Sequence, residues 1–414
     1  MAEEHLGGFF GNVALLDVAS LHPSSIEAMD FFGPYTEKFS QIKGARVAIK
    51  HKDFAKAKEI MGDALPDDAL QENSKALAQA LKIVINSVYG LTSASFPTQF
   101  NDAANGKNNR NPDNQVAKRG ALFMMLLKKE VLERGYTVVH IKTDSIKIAD
   151  ADKSIVDFVM EFGKKYGYTF ELEAVYDKMC IVNKAIYIAH HCYGDDGHDA
   201  ASNRGWAATG TQFAVPYVFK RLFSHKPIVF EDLCETKSAT TSIFLDFNEG
   251  LPEGQHNYSF VGKVSAFSPV KPGLGGGELV RQSKEKTPII PDSDFLTASE
   301  WKQKRDEAKA AGLTILSTPE NRLAPGHKIE DYPMDYTYSA LAGSKGYRWK
   351  ESSVLRDSGK QDEVDRSYYD ELVNGAIETI NEYGSYDWLV DEDQPYISPN
   401  PASNDFITSL RNKE

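Results

Sequence analysis

Asp144 sits at the tip of a β-hairpin that the surrounding sequence prescribes. Residues 136–141 are β-branched and aromatic apart from His140, which predicts a strand. Ile146 and Ile148 flank Lys147 with the two-residue alternation of a returning strand. Lys142, Thr143, Asp144 and Ser145 are left for the turn. A carboxylate carried on rigid elements is what a metal site needs, although Asp is also an ordinary turn residue. A second carboxylate, Asp17, ends the apolar run 13–16, a predicted strand. If the two strands are neighbours in one sheet, Asp17 and Asp144 face each other. Carboxylates that close repel unless cations sit between them. Mg²⁺ suits such a place, being hard, oxygen-seeking and usually held by one or two carboxylates plus substrate phosphates. Two such ions would activate an attacking hydroxyl and stabilise a leaving pyrophosphate.

Between these strands, residues 75–90 predict a helix. Lys75, Gln79, Lys82, Asn86 and Tyr89 recur at helical spacing and form one stripe, with Leu77, Leu81, Val84, Ile85 and Val88 roughly opposite. Two cations, two amides and a ring on one face suit a nucleoside triphosphate, charge for the phosphates and a ring against the base. The plain alternative is an amphipathic helix with a solvated lysine face.

The three pieces together resemble a family. DVASLHPSSI (17–26) resembles motif A of the family B, alpha-like, DNA polymerases. KIVINSVYG (82–90) matches motif B, KxxxNSxYG, at every fixed position. IKTDS (141–145) resembles motif C, usually DTDS. The motifs also stand in the family's order, and three in order are far more specific than one. The resemblance, to a polymerase core of bacteriophage type, covers residues 17–187.

That resemblance implies an α+β fold of right-hand architecture. Its palm is an antiparallel sheet backed by helices, its fingers are a helical hairpin, and its thumb is smaller. The implied divisions are palm at 1–29, fingers at 30–90 and palm again at 91–190. A thumb-like part follows at 191–265, then a C-terminal region at 266–414. Asp17 and Asp144 become the catalytic metal ligands, helped by the Val18 carbonyl. Two Mg²⁺ ions, or Mn²⁺ in their place, are the implied cofactor. Backbone amides of Ser20, Leu21 and His22 would hold the triphosphate, together with Lys75, Lys82, Asn86 and Tyr89. Thr143, and Lys184 with Tyr187 in a KKRY-like element, would touch the primer. Primer–template DNA and deoxynucleoside triphosphates are the implied partners. His22 departs from the family, where a Tyr under the sugar excludes a 2′-hydroxyl; the smaller imidazole predicts weaker ribonucleotide exclusion. Lys142 stands where the family has its first motif C Asp. Gly7 and Gly8 resemble the element that joins an exonuclease region to the polymerase. No such region precedes them here, so the expectation is either a split or truncated gene or a separate exonuclease-containing chain as partner.

The totals fit a two- or three-domain chain: 414 residues, 41% apolar and 11% aromatic. No apolar run reaches membrane-spanning length and no signal peptide opens the chain. Cys180, Cys192 and Cys234 are scattered, with no CxxC pair for zinc and an odd count for disulfides. A cytoplasmic setting follows, the host's cytoplasm if the gene is a phage's. Net charge is −12, awkward for a DNA binder, but cations cluster at 41–58 and 118–134. Lys50, Lys52, Lys56 and Lys58 are expected on one helix, joined to the motif B helix by a loop around Pro66. A helix at 116–134, with Ala121, Leu122, Met125, Leu126 and Leu132 as its apolar positions, ends at Gly135. Another spans 154–166, and strands follow at 168–175 and 179–189. Loops are expected at 100–115 and 194–203. Helices are expected at 209–224, 230–236 and 368–383. The Gly/Pro-rich stretch 262–277 reads as a linker or DNA-facing loop. In KGYRW (345–349) Trp349 reads as buried under a snorkelling Arg348, or as a stacking ring for single-stranded template. A second reading of the whole chain stays open: a catalytically idle DNA-binding or assembly fragment of a split polymerase.

Overall fold

The computed structural model describes residues 4–65, 70, 73–94, 96–98, 114–194 and 205–412. The loops expected around Pro66, at 101–113 and at 195–203 lie outside the described residues. The chain folds as a mixed α+β structure in two units.

The first unit is built on the strand Gly8–Val18, called β2. Its stretch NVALLDV is apolar on both sides, which a strand covered on both faces requires. Six strands join it: β1 (Glu4–His5), β3 (Thr137–Ile141), β4 (Ser145–Ala149), β5 (Phe170–Asn183), β6 (Ile186–Gly194) and β7 (Trp206–Ala208). All pair antiparallel, in the order β1-β3-β4-β2-β5-β6-β7. The expected hairpin at Asp144 is the β3–β4 turn, closed by Lys142 N–H to the Ser145 carbonyl at 2.9 Å. The strand expected over 179–189 is two strands. Asn183 breaks it, its side chain accepting the Ala185 and Ile186 amides at 2.9 and 3.0 Å.

Two helices, called α5 (Gln115–Glu133) and α6 (Lys153–Lys165), cover one face of the sheet. Both stop at the glycines expected: Gly135 has φ 85° and Gly167 φ 83°. The inward stripe of α5 is not the expected one. Val116, Phe123, Met124, Leu127 and Val131 face the core, while Leu122, Met125 and Leu132 are exposed. That helix is apolar on most of its circumference, so periodicity alone chooses its face poorly.

Residues Leu372–Glu414 belong to this first unit. The helix Pro401–Arg411 adds Ile407 and Leu410 to its core. Asn12, at φ 47°, donates to Ser403 Oγ at 3.1 Å, and Arg411 meets Asp177 at 2.6 Å. The Tyr396 ring occupies the space a Cβ on Gly11 would need, and its hydroxyl donates to Asp150 at 2.7 Å.

Among the described residues four longer helices precede α5: α1 (Leu21–Ala28), α2 (Thr36–Lys50), α3 (Phe54–Met61) and α4 (Ser74–Ser93). Ala45, Ala48 and Ile49 pack with Ala57, Leu77 and Leu81, so three helices rather than a two-helix hairpin carry the motif B segment. The single lysine-bearing helix expected here is broken. Lys52 is left-handed at φ 61°, and Asp53 caps α3 by accepting the Lys56 amide at 3.0 Å. Ile85 is buried as expected on α4, but Val84 is half exposed.

The second unit, Val215–Tyr217 with Pro227–Glu371, is built on a sheet. Its strands are β8 (Glu235–Asp246), β9 (Tyr258–Val270), β10 (Glu278–Pro288), β11 (Met334–Ala340) and β12 (Arg348–Glu351). Their order is β11-β10-β8-β9-β12. The helices expected at 209–224 and 230–236 shrink to Pro216–Ser224 and the 3₁₀ turn Phe230–Leu233, after which the chain enters β8. Residues 262–270, expected as part of a linker or DNA-facing loop, lie within β9, and the turn after them is where the glycines are needed. Gly276 has φ 91°, and a Cβ there would lie 2.9 Å from the Trp349 carbonyl oxygen. Trp349 is fully buried and its indole N–H donates to Ser344 O at 3.0 Å, the structural alternative for KGYRW. The helix expected at 368–383 runs over Arg366–Asn381.

Candidate active site

Asp17 and Asp144 meet because of strand register. In the β2–β4 ladder Asp17 lies opposite Ser145, the residue after Asp144, and Val18 N–H donates to the Asp144 carbonyl at 2.8 Å. On the other side of β2, Asp17 lies opposite Glu171 of β5. Asp17 is thus flanked by acidic groups on both neighbouring strands. Burial pushes its carboxyl up to about 8, and Asp144, Glu173 and Glu171 push the same way, against the pull of Lys50. A cation placed among these carboxylates would offset that shift. The donors are hard carboxylate oxygens, which fit Mg²⁺ or Mn²⁺. Among the described residues no group of three or more His, Cys, Asp or Glu closes into a cage.

Glu171 is held from the helical side. Lys50 at the end of α2 reaches it at 2.8 Å and His51 at 3.3 Å. Burial alone would raise the Glu171 carboxyl, but the Lys50 ammonium, with the His51 ring beside it, outweighs that and holds it below the usual range.

The chain leaves β2 through Ser20, left-handed at φ 68°, and enters α1. The first amides of a helix have no partner within it, and those of Leu21 and His22 are among them. Arg46 of α2 donates to Ser20 Oγ at 3.3 Å, and its Nε is buried without a hydrogen-bond partner. The sequence reading passed over Arg46, Glu171 and His51. Arg46 sits between alanine and valine in a helix with no motif. Glu171 gains its meaning only from its register with Asp17.

His22 lies flat on Tyr89, the last residue of the motif B stripe, with ring centroids 4.0 Å apart and planes 11° apart. Its Nδ1 is buried without a hydrogen-bond partner. Burial pushes the imidazole pKa down while Asp144 pulls it up. Tyr89 is fixed in turn by an Asn114 contact of 3.3 Å. Lys75, Lys82 and Asn86 lie exposed along the same helix.

Thr143 and Lys142 are half-buried in the hairpin turn. Lys184 is exposed in the β5–β6 turn, and its carbonyl accepts from His140 Nε2 at 3.1 Å. Tyr187 is only 4% exposed, packed in the sheet's second core with the Lys147 ammonium 4.9 Å from its ring centroid. Lys184 and Tyr187 therefore occupy different environments, one in solvent and one inside.

No family model and no curated protein matches this chain. Among solved structures it is similar to the family B DNA polymerase from the hyperthermophilic archaeon Pyrobaculum calidifontis. The TM-score is 0.37 at 12% identity, over 65% of this chain and 41% of that one. The chain thus spans under half the length of that polymerase. No helix among the described residues is long and apolar enough to cross a membrane.

Proposed function

We propose that the chain is the polymerising core of a family B DNA polymerase of bacteriophage type, working in the host cytoplasm. It would extend a primer 3′ end with deoxynucleoside triphosphates under the direction of a DNA template. One observation carries the reading: three motifs far apart in sequence converge. The motif A carboxylate is in register beside the motif C carboxylate, and the motif B tyrosine stacks on the motif A histidine.

In this reading Asp17 and Asp144 hold two Mg²⁺ ions with the Val18 carbonyl. Bound there, the metals would supply Lewis acidity to the primer hydroxyl and to the leaving pyrophosphate. The chain's own residues do the rest. Amides of Ser20, Leu21 and His22, with Arg46, orient the triphosphate. Lys75 and Lys82 add positive charge from the helix above, and Asn86 a polar contact. His22 and Tyr89 form one aromatic wall beneath the sugar and base. Thr143 and the exposed Lys184 hold the primer end, whereas Tyr187, expected to share that task, is closed off inside the sheet.

The test is primer extension with Mg²⁺ on a primed template, in the wild type and in Asp144→Asn. Loss of one carboxylate is expected to lower the rate by at least about a thousandfold while duplex binding stays within a few-fold. Near-normal extension by Asp144→Asn would remove the hairpin from the active site. Duplex binding with no extension by the wild type would favour the idle-fragment reading.

A further inference from the structure

The second unit carries an aromatic face that the proposed chemistry does not use. Phe244 of β8 lies opposite Phe260 of β9 and opposite Val280 of β10. Phe244 and Phe260 meet edge to face at 5.4 Å, and Phe244 meets Tyr338 of β11 at 5.3 Å and 87°. Tyr258 stacks on Tyr338 at 3.9 Å, and His256 stacks on Tyr258 at 5.1 Å. Tyr336 lies two residues from Tyr338, so it shares its face, and the Lys286 ammonium sits 5.5 Å from its ring centroid. The rings thus come from three strands, β9, β8 and β11, of a four-strand face to which β10 adds Val280 and Lys286.

This face meets solvent. Phe260 is 65% exposed, and Val264 on the same strand is 62% exposed. The Phe260 stretch of β9 has β8 on one side only, because β12 pairs with β9 no earlier than Phe267. One exposed Phe is ordinary. A connected ladder of rings on the open side of a sheet is a binding surface in waiting.

Charge identifies the occupant. Three carboxylates, Asp246, Asp335 and Glu278, act on Tyr258 of this face, and each has a partner; Asp335 accepts from the Tyr336 amide at 2.7 Å. Asp246 accepts from His256 Nδ1 at 2.6 Å and from the Asn257 amide at 2.9 Å, and Glu278 lies 3.7 Å from Arg348. Lys263, Lys284 and Lys286 are exposed on β9 and β10. Rings flanked by cations suit a polymer of planar bases on an anionic backbone, with the bases unpaired so that their faces are free. Duplex DNA keeps those faces stacked inside.

We propose that this face is a stacking platform for single-stranded template DNA. The inference rests on the polymerase reading only for the source of the strand.

The test uses the full chain, a fluorescent oligothymidylate and a blunt duplex of equal length. Phe260→Ala is expected to weaken oligothymidylate binding about tenfold, with the unfolding temperature and duplex binding unchanged, and Phe260→Trp to restore it. Lys286→Ala is expected to flatten the salt dependence by about one unit of slope. Equal oligothymidylate affinity in Phe260→Ala and wild type overturns the proposal, as does an equal loss for the duplex. The Asp144→Asn variant separates the two readings, because it is expected to keep Phe260-dependent binding whatever becomes of extension.

Discussion

At the residue scale, His22 has the most specific consequence. Its ring is pinned against Tyr89, yet its Nδ1 is buried with nothing to bond. A site that pairs a hydroxyl discriminates differently from one that only excludes it. Under the proposed function, Tyr in that slot would set a ring against a 2′-hydroxyl, whereas His would set a smaller group and an open nitrogen there. His22→Tyr is therefore expected to raise discrimination against ribonucleotides about tenfold in single-turnover competition. Equal selectivity in both proteins would end His22's role as the gate. His140 gives a second prediction. Burial first, then Lys147 and Lys142, lower its pKa from 6.5 to about 4. It stays neutral in the fold where the unfolded chain would take a proton. Stability is then full above pH 6.5, falls as pH drops towards 4, and levels off below. The difference corresponds to about 3 kcal/mol. Urea unfolding at pH 7 and pH 4 should show that much more loss in wild type than in His140→Gln; parallel losses would refute it. Asp17, Asp144, His22 and Tyr89 were legible in the sequence because each sits in a local pattern. Arg46 and Glu171 were not, because only folding brings them to Ser20 and Asp17.

At the element scale, the break between α2 and α3 decides where the cations go. Lys50 ends α2 and turns to Glu171, whereas Lys56 starts α3 and pairs with Glu59 at 2.9 Å. A continuous helix would have aligned them. Lys52 in the left-handed region and the Asp53 cap impose the break. Asp53→Ala is expected to cost about 1 kcal/mol of stability and to speed hydrogen exchange at the α3 amides. Unchanged exchange there would mean that packing alone fixes the break. The sequence shows such elements well where periodicity is clean, as in α6, whose bounds were read to within a residue or so. It misjudged α5 because that helix is apolar nearly all round. It missed the second unit's sheet because long stretches of β8 and β10 are polar, with no clean two-residue alternation of apolar and polar residues to mark them as strands.

At the scale of the whole molecule, the first unit is assembled from both ends of its sequence. Gly11 has no side chain because Tyr396 fills that space, and Asn12 bonds Ser403 across 391 residues. Gly11→Ala is expected to destabilise the fold by about 3 kcal/mol and to expose the Leu372–Glu414 segment to protease. Combining it with Tyr396→Ala should recover less than additive loss; strict additivity would show that the two do not share the space. This arrangement also sets a timetable on the ribosome. The strand that bears Asp17 is made first, and its covering helix follows 391 residues later, roughly 20–80 s at ordinary elongation rates. The whole second unit is synthesised in that interval. Until then Ile407 and Leu410 are missing from the core that α5 and α6 share with the Asp17 strand, and a chain that stalls before them carries a complete sheet with part of one face open.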